Sequence, residues 1–283
     1  LPAARIQQSF GRGGYRPPRT PPVQPPARRL CVCVGKIAVF VEHLRGPIPS
    51  KYTNHFAEEM VLGKKHVNIL KYDNASYDFR PFARECFDIQ DLCKVHFNNP
   101  KYDNFVEFKK DVQTWYHKTF YNYLDSEKGK AMQALYDKLI VDVILPYLGI
   151  NEALVQKFPS FRVQLPDNVA VAKIHTDNSL GHPFGEINFT YTFTEMKDTT
   201  SILIEKMPTF NEFTKIQADE NSIVSFNANL CRHYNEVNKT GKTRMSMDFR
   251  ILPLNYKPQD DGFSHTSNKK FVDGGYYKLF KTS

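Results

Sequence analysis

The sequence predicts a mainly β protein: a double-stranded β-helix, or cupin-like jelly roll, with helices packed outside it. Three observations carry that expectation. From Phe161 onward, apolar and polar residues alternate with a period of two through six successive segments. No helical period interrupts those segments. Two stretches of three- and four-residue apolar spacing precede them, which places the helices as one block before the sheet.

The chain has 283 residues, enough for one large domain. Residues 1–29 are rich in Arg, Pro, Gly and Gln and too poor in apolar side chains to offset chain entropy. They read as a disordered tail or, being acid-free, as an organellar transit-like segment. Residues 30–283 read as a single domain. Within it, 30–150 is α/β with packing helices, 151–255 is the jelly-roll core, and 256–283 is a C-terminal extension. Residues 30–41 (LCVCVGKIAVFV) form an apolar run suited to a buried strand.

Helical spacing appears over 103–123, through Phe105, Phe108, Val112, Trp115, Tyr116 and Phe120. It returns over 127–148, through Met132, Leu135, Leu139, Ile140, Val143, Ile144 and Tyr147, with Gly149 as the stop. The strands expected after them are 161–165, 169–175, 186–194, 201–205, 222–227 and 244–252. Turn signals fall at Pro166-Asp167-Asn168, Lys197-Asp198 and Lys239-Thr240-Gly241.

The net charge of +8 suggests a nucleic-acid partner until its distribution is read. Residues 1–41 hold six Arg and one Lys and no acid; the remainder carries 31 basic against 30 acidic residues. A phosphate-tracking groove would need positive charge on the folded surface, so no nucleic-acid partner is expected. No apolar run approaches the ~18 residues of a membrane span. Five cysteines (31, 33, 86, 93 and 231) form no regular framework, which suits reduced thiols in an intracellular protein, cytoplasmic or organellar.

The chemistry centres on His175-Thr176-Asp177. On an extended segment, positions two apart face the same way, so an imidazole and a carboxylate are offered to one metal. His233 follows 58 residues later, a separation that lets a jelly roll bring a strand back beside the first. Two imidazoles and one carboxylate leave three metal positions open, which suits iron(II). Eleven residues beyond His233, Arg244-Met245-Ser246 sits on an expected strand. Arg244 would take the distal carboxylate of 2-oxoglutarate in a planar, bidentate grip, with Ser246 donating beside it. Asp248 and Arg250 continue the same face, a polar row that is costly unless it meets solvent or a ligand-holding lumen.

The combination HTD, His233 and RMS resembles the H-x-D…H…R-x-S pattern of the 2-oxoglutarate/iron(II) oxygenases. The segments FPSFRVQLP, HTDNSLGHPFGEINFTYTFT, SILIE and HYNEVNKTGKTRMSMDFRILP resemble, more narrowly, the StrG-like oxygenases of small-molecule biosynthesis. The resemblance implies Fe(II), 2-oxoglutarate and O2 as cofactors, succinate and CO2 as by-products, and attack on an unreactive C–H bond of a small molecule. Hydroxylation, desaturation and oxidative cyclisation share that site. Related halogenases keep a small residue where this chain has Asp177, so halogenation is not expected. The period of two adds Asn188 as a contact of 2-oxoglutarate. Arg162, Glu205 and Arg250 on expected strands, and His182 in the loop after the metal pair, are expected to read an anionic or amino-acid-like substrate. An AlkB-type nucleic-acid dealkylase, suggested by the Arg244/Arg250 pair, and a non-catalytic jelly-roll binding module are the competing readings.

Overall fold

The computed structural model describes residues 59–60, 67–99, 114–169, 173–256, 262–264 and 269–282. The basic N-terminal segment, the strand expected at 30–41 and residues 103–113 of the first expected helix lie outside them.

The strands form two antiparallel sheets. Label them β1 (Val67–Ile69), β2 (Glu152–Gln156), β3 (Ser160–Gln164), β4 (Ile187–Thr192), β5 (Ile202–Glu205), β6 (Phe213–Ile216), β7 (Ile223–Phe226), β8 (His233–Asn235), β9 (Arg244–Pro253) and β10 (Tyr277–Lys281). The larger sheet runs β1-β7-β4-β9-β2-β10, with β3 also pairing with β9. The smaller sheet runs β6-β5-β8. β9 is the hub, because its ten residues pair with β4 along one edge and with β2 and then β3 along the other.

Alternation along the strands sorts the layers. Met245, Met247, Phe249 and Ile251 on β9, with Phe189 and Tyr191 on β4 and Phe161 and Val163 on β3, all face one continuous core. The helices cover it: α1 (Arg80–Phe87), α2 (Trp115–Leu124), α3 (Glu127–Leu139) and α4 (Leu145–Leu148). Phe120 of α2 stacks on Phe161 of β3 at 4.4 Å between centroids and ties helix to sheet, while Phe189 and Phe249 stack at 5.3 Å as cross-strand partners within the sheet. Each such side chain contributes about 1.5–3 kcal/mol on burial. On the other face, Val224 and Phe226 of β7 meet Ile202, Ile204 and Ile216 of the smaller sheet. The polar faces of β3, β4 and β9 look the same way, between the sheets.

The helix expected over 127–148 is observed with a local irregularity. A π turn spans Ile140–Ile144, just before Pro146, whose missing N–H and bulky ring would disrupt a regular α-turn. Gly149 ends the helix at φ 64°, its N–H bonded to the Pro146 carbonyl. Ser126 caps α3 through the Gly129 N–H. A side chain at Gly129 would meet the Tyr123 carbonyl at 2.2 Å, so the α2–α3 corner requires glycine there. No helix among the described residues is long and apolar enough to cross a membrane.

Five of the six strands expected from alternation are present. In the sixth, 169–175, residues 170–172 lie outside the described set and His175 forms a single bridge. The C-terminal extension is not a simple appendage: β10 pairs with β2 over five residues and widens the larger sheet.

Candidate metal centre and active-site cleft

His175 and His233 are brought together by backbone. Each donates its N–H to the other's carbonyl, at 3.3 and 2.9 Å, so the two imidazoles leave adjacent positions of the smaller sheet, 4.4 Å apart between ring centroids. Asp177 follows on a short 3-10 turn that it opens itself, with its N–H on the Ala228 carbonyl. The three ligand atoms all lie within 4.8 Å of one another.

The hydrogen bonds fix which atoms face the common point. Nδ1 of His175 meets the Lys173 carbonyl at 2.8 Å, and Nδ1 of His233 meets the Cys231 carbonyl at 3.3 Å. A carbonyl only accepts, so Nδ1 carries the proton in both rings and Nε2 presents a lone pair. The Nε2 atoms stand 3.9 and 3.8 Å from Asp177 Oδ1. Burial lowers both imidazole pKa values, that of His233 to about 4 against the opposing pull of Asp177. Burial alone would raise the Asp177 carboxyl; the Arg250 charge, with His182, His233 and His175, overrides it and holds the group well below the usual carboxylate range. At neutral pH the site is two neutral imidazoles and a carboxylate, a donor set that fits iron(II).

Two cavities meet at this point and share Arg162, His175, Asp177 and Arg250 as boundaries. The inner one lies between the sheets and is lined further by Asn188, Ile202, His233, Asn235, Arg244 and Asp248. The outer cleft, about 380 Å³, is walled by α2 (Tyr121, Leu124), the β2–β3 corner, His182, Lys269 and Tyr276.

Arg244 lines the inner chamber, and its Nη1 donates to Ser246 Oγ at 2.8 Å, both residues being buried. Arg162 bridges chamber and cleft and is paired through Nε with Asp248 Oδ2 at 2.9 Å. His182 lines the cleft, its Nδ1 on buried Glu186 at 2.8 Å, and Glu186 also accepts from the Tyr277 hydroxyl. Asn188 faces the chamber, but its amide donates to Asp177 Oδ2 at 2.7 Å.

Two of the substrate-reading residues sit differently from their expected roles. Arg250 touches Asp177 directly, through Nε at 2.9 Å and Nη2 at 2.8 Å on Oδ2. Glu205 lines neither cavity. It ends β5, and its fully buried carboxylate accepts from Arg232 Nε and Nη2, the Arg232 N–H and the Asn211 N–H, closing the 206–212 loop. Its alternation parity is satisfied by a local partner, and Arg232, the neighbour of His233, was the signal for it. Gln156 and Tyr276, which hold Arg250 from β2 and the C-terminal segment at 3.2 Å each, were not legible as site residues.

Over 192 residues, 68% of this chain and 87% of its relative, the sequence is 28% identical to the streptomycin biosynthesis protein StrG of Streptomyces griseus. The chain is a relative of StrG. No family model matches it. Solved structures overlay at lower similarity. The non-haem, α-ketoglutarate-dependent carbocyclase SnoK of nogalamycin biosynthesis is 9% identical, with a TM-score of 0.46 over 84% of this chain and all of that one. A Pseudomonas putida prolyl-4-hydroxylase is 11% identical, with a TM-score of 0.40 over 75% of this chain and 99% of that one. The likeness to StrG is one of sequence, and the site's own geometry, two imidazoles and a carboxylate on one point, is a donor set that fits non-haem iron(II).

Proposed function

We propose that this chain is a StrG-like, non-haem iron(II), 2-oxoglutarate-dependent oxygenase that consumes O2 and activates a C–H bond of a small, amino-acid-like metabolite in a biosynthetic pathway. The reading is carried by one juxtaposition: the His175–Asp177–His233 face borders an inner chamber lined by Arg244 on one side and an outer cleft on the other. In this reading co-substrate and substrate take different compartments, which share Arg162, His175, Asp177 and Arg250 as their boundary.

In this scheme Arg244 and Ser246 take the far carboxylate of 2-oxoglutarate. Iron(II), when bound, would couple the four-electron reduction of O2 to decarboxylation of 2-oxoglutarate and oxidation of the substrate's C–H bond. The chain's residues supply orientation and exclusion of water. Ile202, Phe226 and Ala228 give the inner chamber an apolar wall, which strengthens the Arg244 interaction. In the cleft, Arg162 and Lys269 offer cationic side chains and Asp125 a carboxylate, a mixture suited to a substrate carrying both acid and amine.

The test is to supply iron(II), 2-oxoglutarate and O2 with a panel of amino acids and N-alkylated amino acids, following succinate and product mass. A product two hydrogens lighter means desaturation or cyclisation, and one oxygen heavier means hydroxylation. Succinate formation that no member of the panel stimulates or is altered by contradicts the amino-acid-like substrate. Stimulation by alkylated single-stranded DNA instead would favour the dealkylase reading.

A further inference from the structure

The two oxygens of Asp177 are treated unequally. Oδ2 accepts from Asn188 Nδ2 at 2.7 Å and Arg250 Nε at 2.9 Å, with Arg250 Nη2 ion-paired to it at 2.8 Å. That fills the acceptor capacity of one oxygen. Oδ1 instead faces the Nε2 atoms of His175 and His233.

The donors are themselves fixed. Asn188 and Arg250 are direct cross-strand partners in the β4–β9 register, so both come from the middle of the larger sheet and not from a loop. Arg250 Nη1 is tied to Gln156 Oε1 and the Tyr276 hydroxyl, and Glu186 Oε2 lies 3.7 Å from its Nε. Arg250 is 6% exposed and Asn188 4%. Asp177, on a turn of its own, is therefore oriented by rigid neighbours on the sheet behind it.

Carboxylates bind metal ions through one oxygen or through both. A six-coordinate ion on two imidazoles and one carboxylate oxygen keeps three positions. A bidentate oxoacid takes two of them and leaves one. A carboxylate swung onto the metal through both oxygens would take that last position. We infer that Arg250 and Asn188 are positioning residues that hold Asp177 to one-oxygen coordination and so keep the last position open. The inference rests on the iron(II)/2-oxoglutarate reading above. It also moves Arg250 from substrate recognition to the metal's surroundings, and moves Asn188 from contact with 2-oxoglutarate to the same task.

The experiment uses the full chain loaded anaerobically with iron(II) and saturating 2-oxoglutarate. Nitric oxide serves as the probe of the open position, read as the high-spin iron–nitrosyl EPR signal per bound iron. Asn188→Ala and Arg250→Leu should lower that signal, or raise the nitric oxide needed for it, by about tenfold or more, a size common for residues behind metal ligands. Arg250→Lys, which returns one donor, should recover part of it. Because Arg250→Leu strips partners from several buried groups, Asn188→Ala decides the matter if that variant does not fold. A signal per bound iron equal to wild type in Asn188→Ala overturns the inference, whether or not iron affinity has changed. If wild-type protein with iron(II) forms no charge-transfer band on adding 2-oxoglutarate, the functional reading itself falls and the inference with it. A normal band with unaltered variants sinks the inference alone.

Discussion

His175 and His233, 58 residues apart in sequence, are partners in a single antiparallel bridge, each N–H on the other's carbonyl. The metal-facing geometry is thereby set by backbone before either side chain chooses a rotamer. The two Nδ1–carbonyl bonds then fix the rings so that both lone pairs point toward Asp177 Oδ1. Ligands arranged in this way need little reordering to receive an ion.

Arg244 is expected to matter for 2-oxoglutarate and not for iron. Arg244→Ala should raise the apparent KM for 2-oxoglutarate about ten- to a hundredfold, the cost of about 1.5–3 kcal/mol for a lost charged hydrogen bond. Iron affinity, measured separately by anaerobic calorimetry, should change little. An unchanged KM for 2-oxoglutarate contradicts the anchor assignment.

Glu205 is expected to behave as a structural residue. Its buried carboxylate holds Arg232 at 2.6 Å and the loop N–H of Asn211 at 2.7 Å, away from both cavities. Glu205→Gln should lower thermal stability, by about 1–3 kcal/mol for weakened charged hydrogen bonds, while leaving the KM for 2-oxoglutarate and for any substrate found as in wild type. A kinetic defect without loss of stability would restore Glu205 to the site.

The contrast between Arg244 and Glu205 marks how far sequence reasoning reaches. The alternating runs of β3, β4, β5, β7 and β9 were legible because one face of each is apolar, and so was the shared face of Arg244 and Ser246, two residues apart on β9. The short strands β1 and β8 have three residues each and no room for a pattern. β10 was unread because its alternation stands alone after a long irregular stretch. Roles that depend on a partner were the hardest. Parity put Arg250 on the correct face, but its partner Asp177 lies 73 residues earlier and reaches it through a turn. Glu205 shared the parity of a site residue and was claimed by Arg232.

His117 links the helical layer to acid stability. It is fully buried at the start of α2, its Nδ1 2.6 Å from the Thr114 hydroxyl. Burial, helped by the nearby Arg162 charge, lowers its pKa to about 3. The unfolded chain takes up a proton below the ordinary value of 6.5 while the fold refuses it until about 3. This group's contribution is therefore complete above about 6.5 and lost as pH falls toward 3, at about 1.4 kcal/mol per pH unit. His117→Gln should flatten the fall in unfolding free energy between pH 6 and pH 4 by about that slope. Identical slopes in both proteins, measured by denaturant titration, would show that His117 is not protonated on unfolding.

The central claim is that His175, Asp177 and His233 hold one iron(II) to which 2-oxoglutarate then binds. It is tested most directly by anaerobic titration, first with iron(II) and then with 2-oxoglutarate, following visible absorption. Wild-type protein should bind one iron and develop a charge-transfer band that saturates with 2-oxoglutarate, while His175→Ala and Asp177→Ala should show neither. Failure of the wild type to bind iron, or a band that survives in Asp177→Ala, would contradict the account.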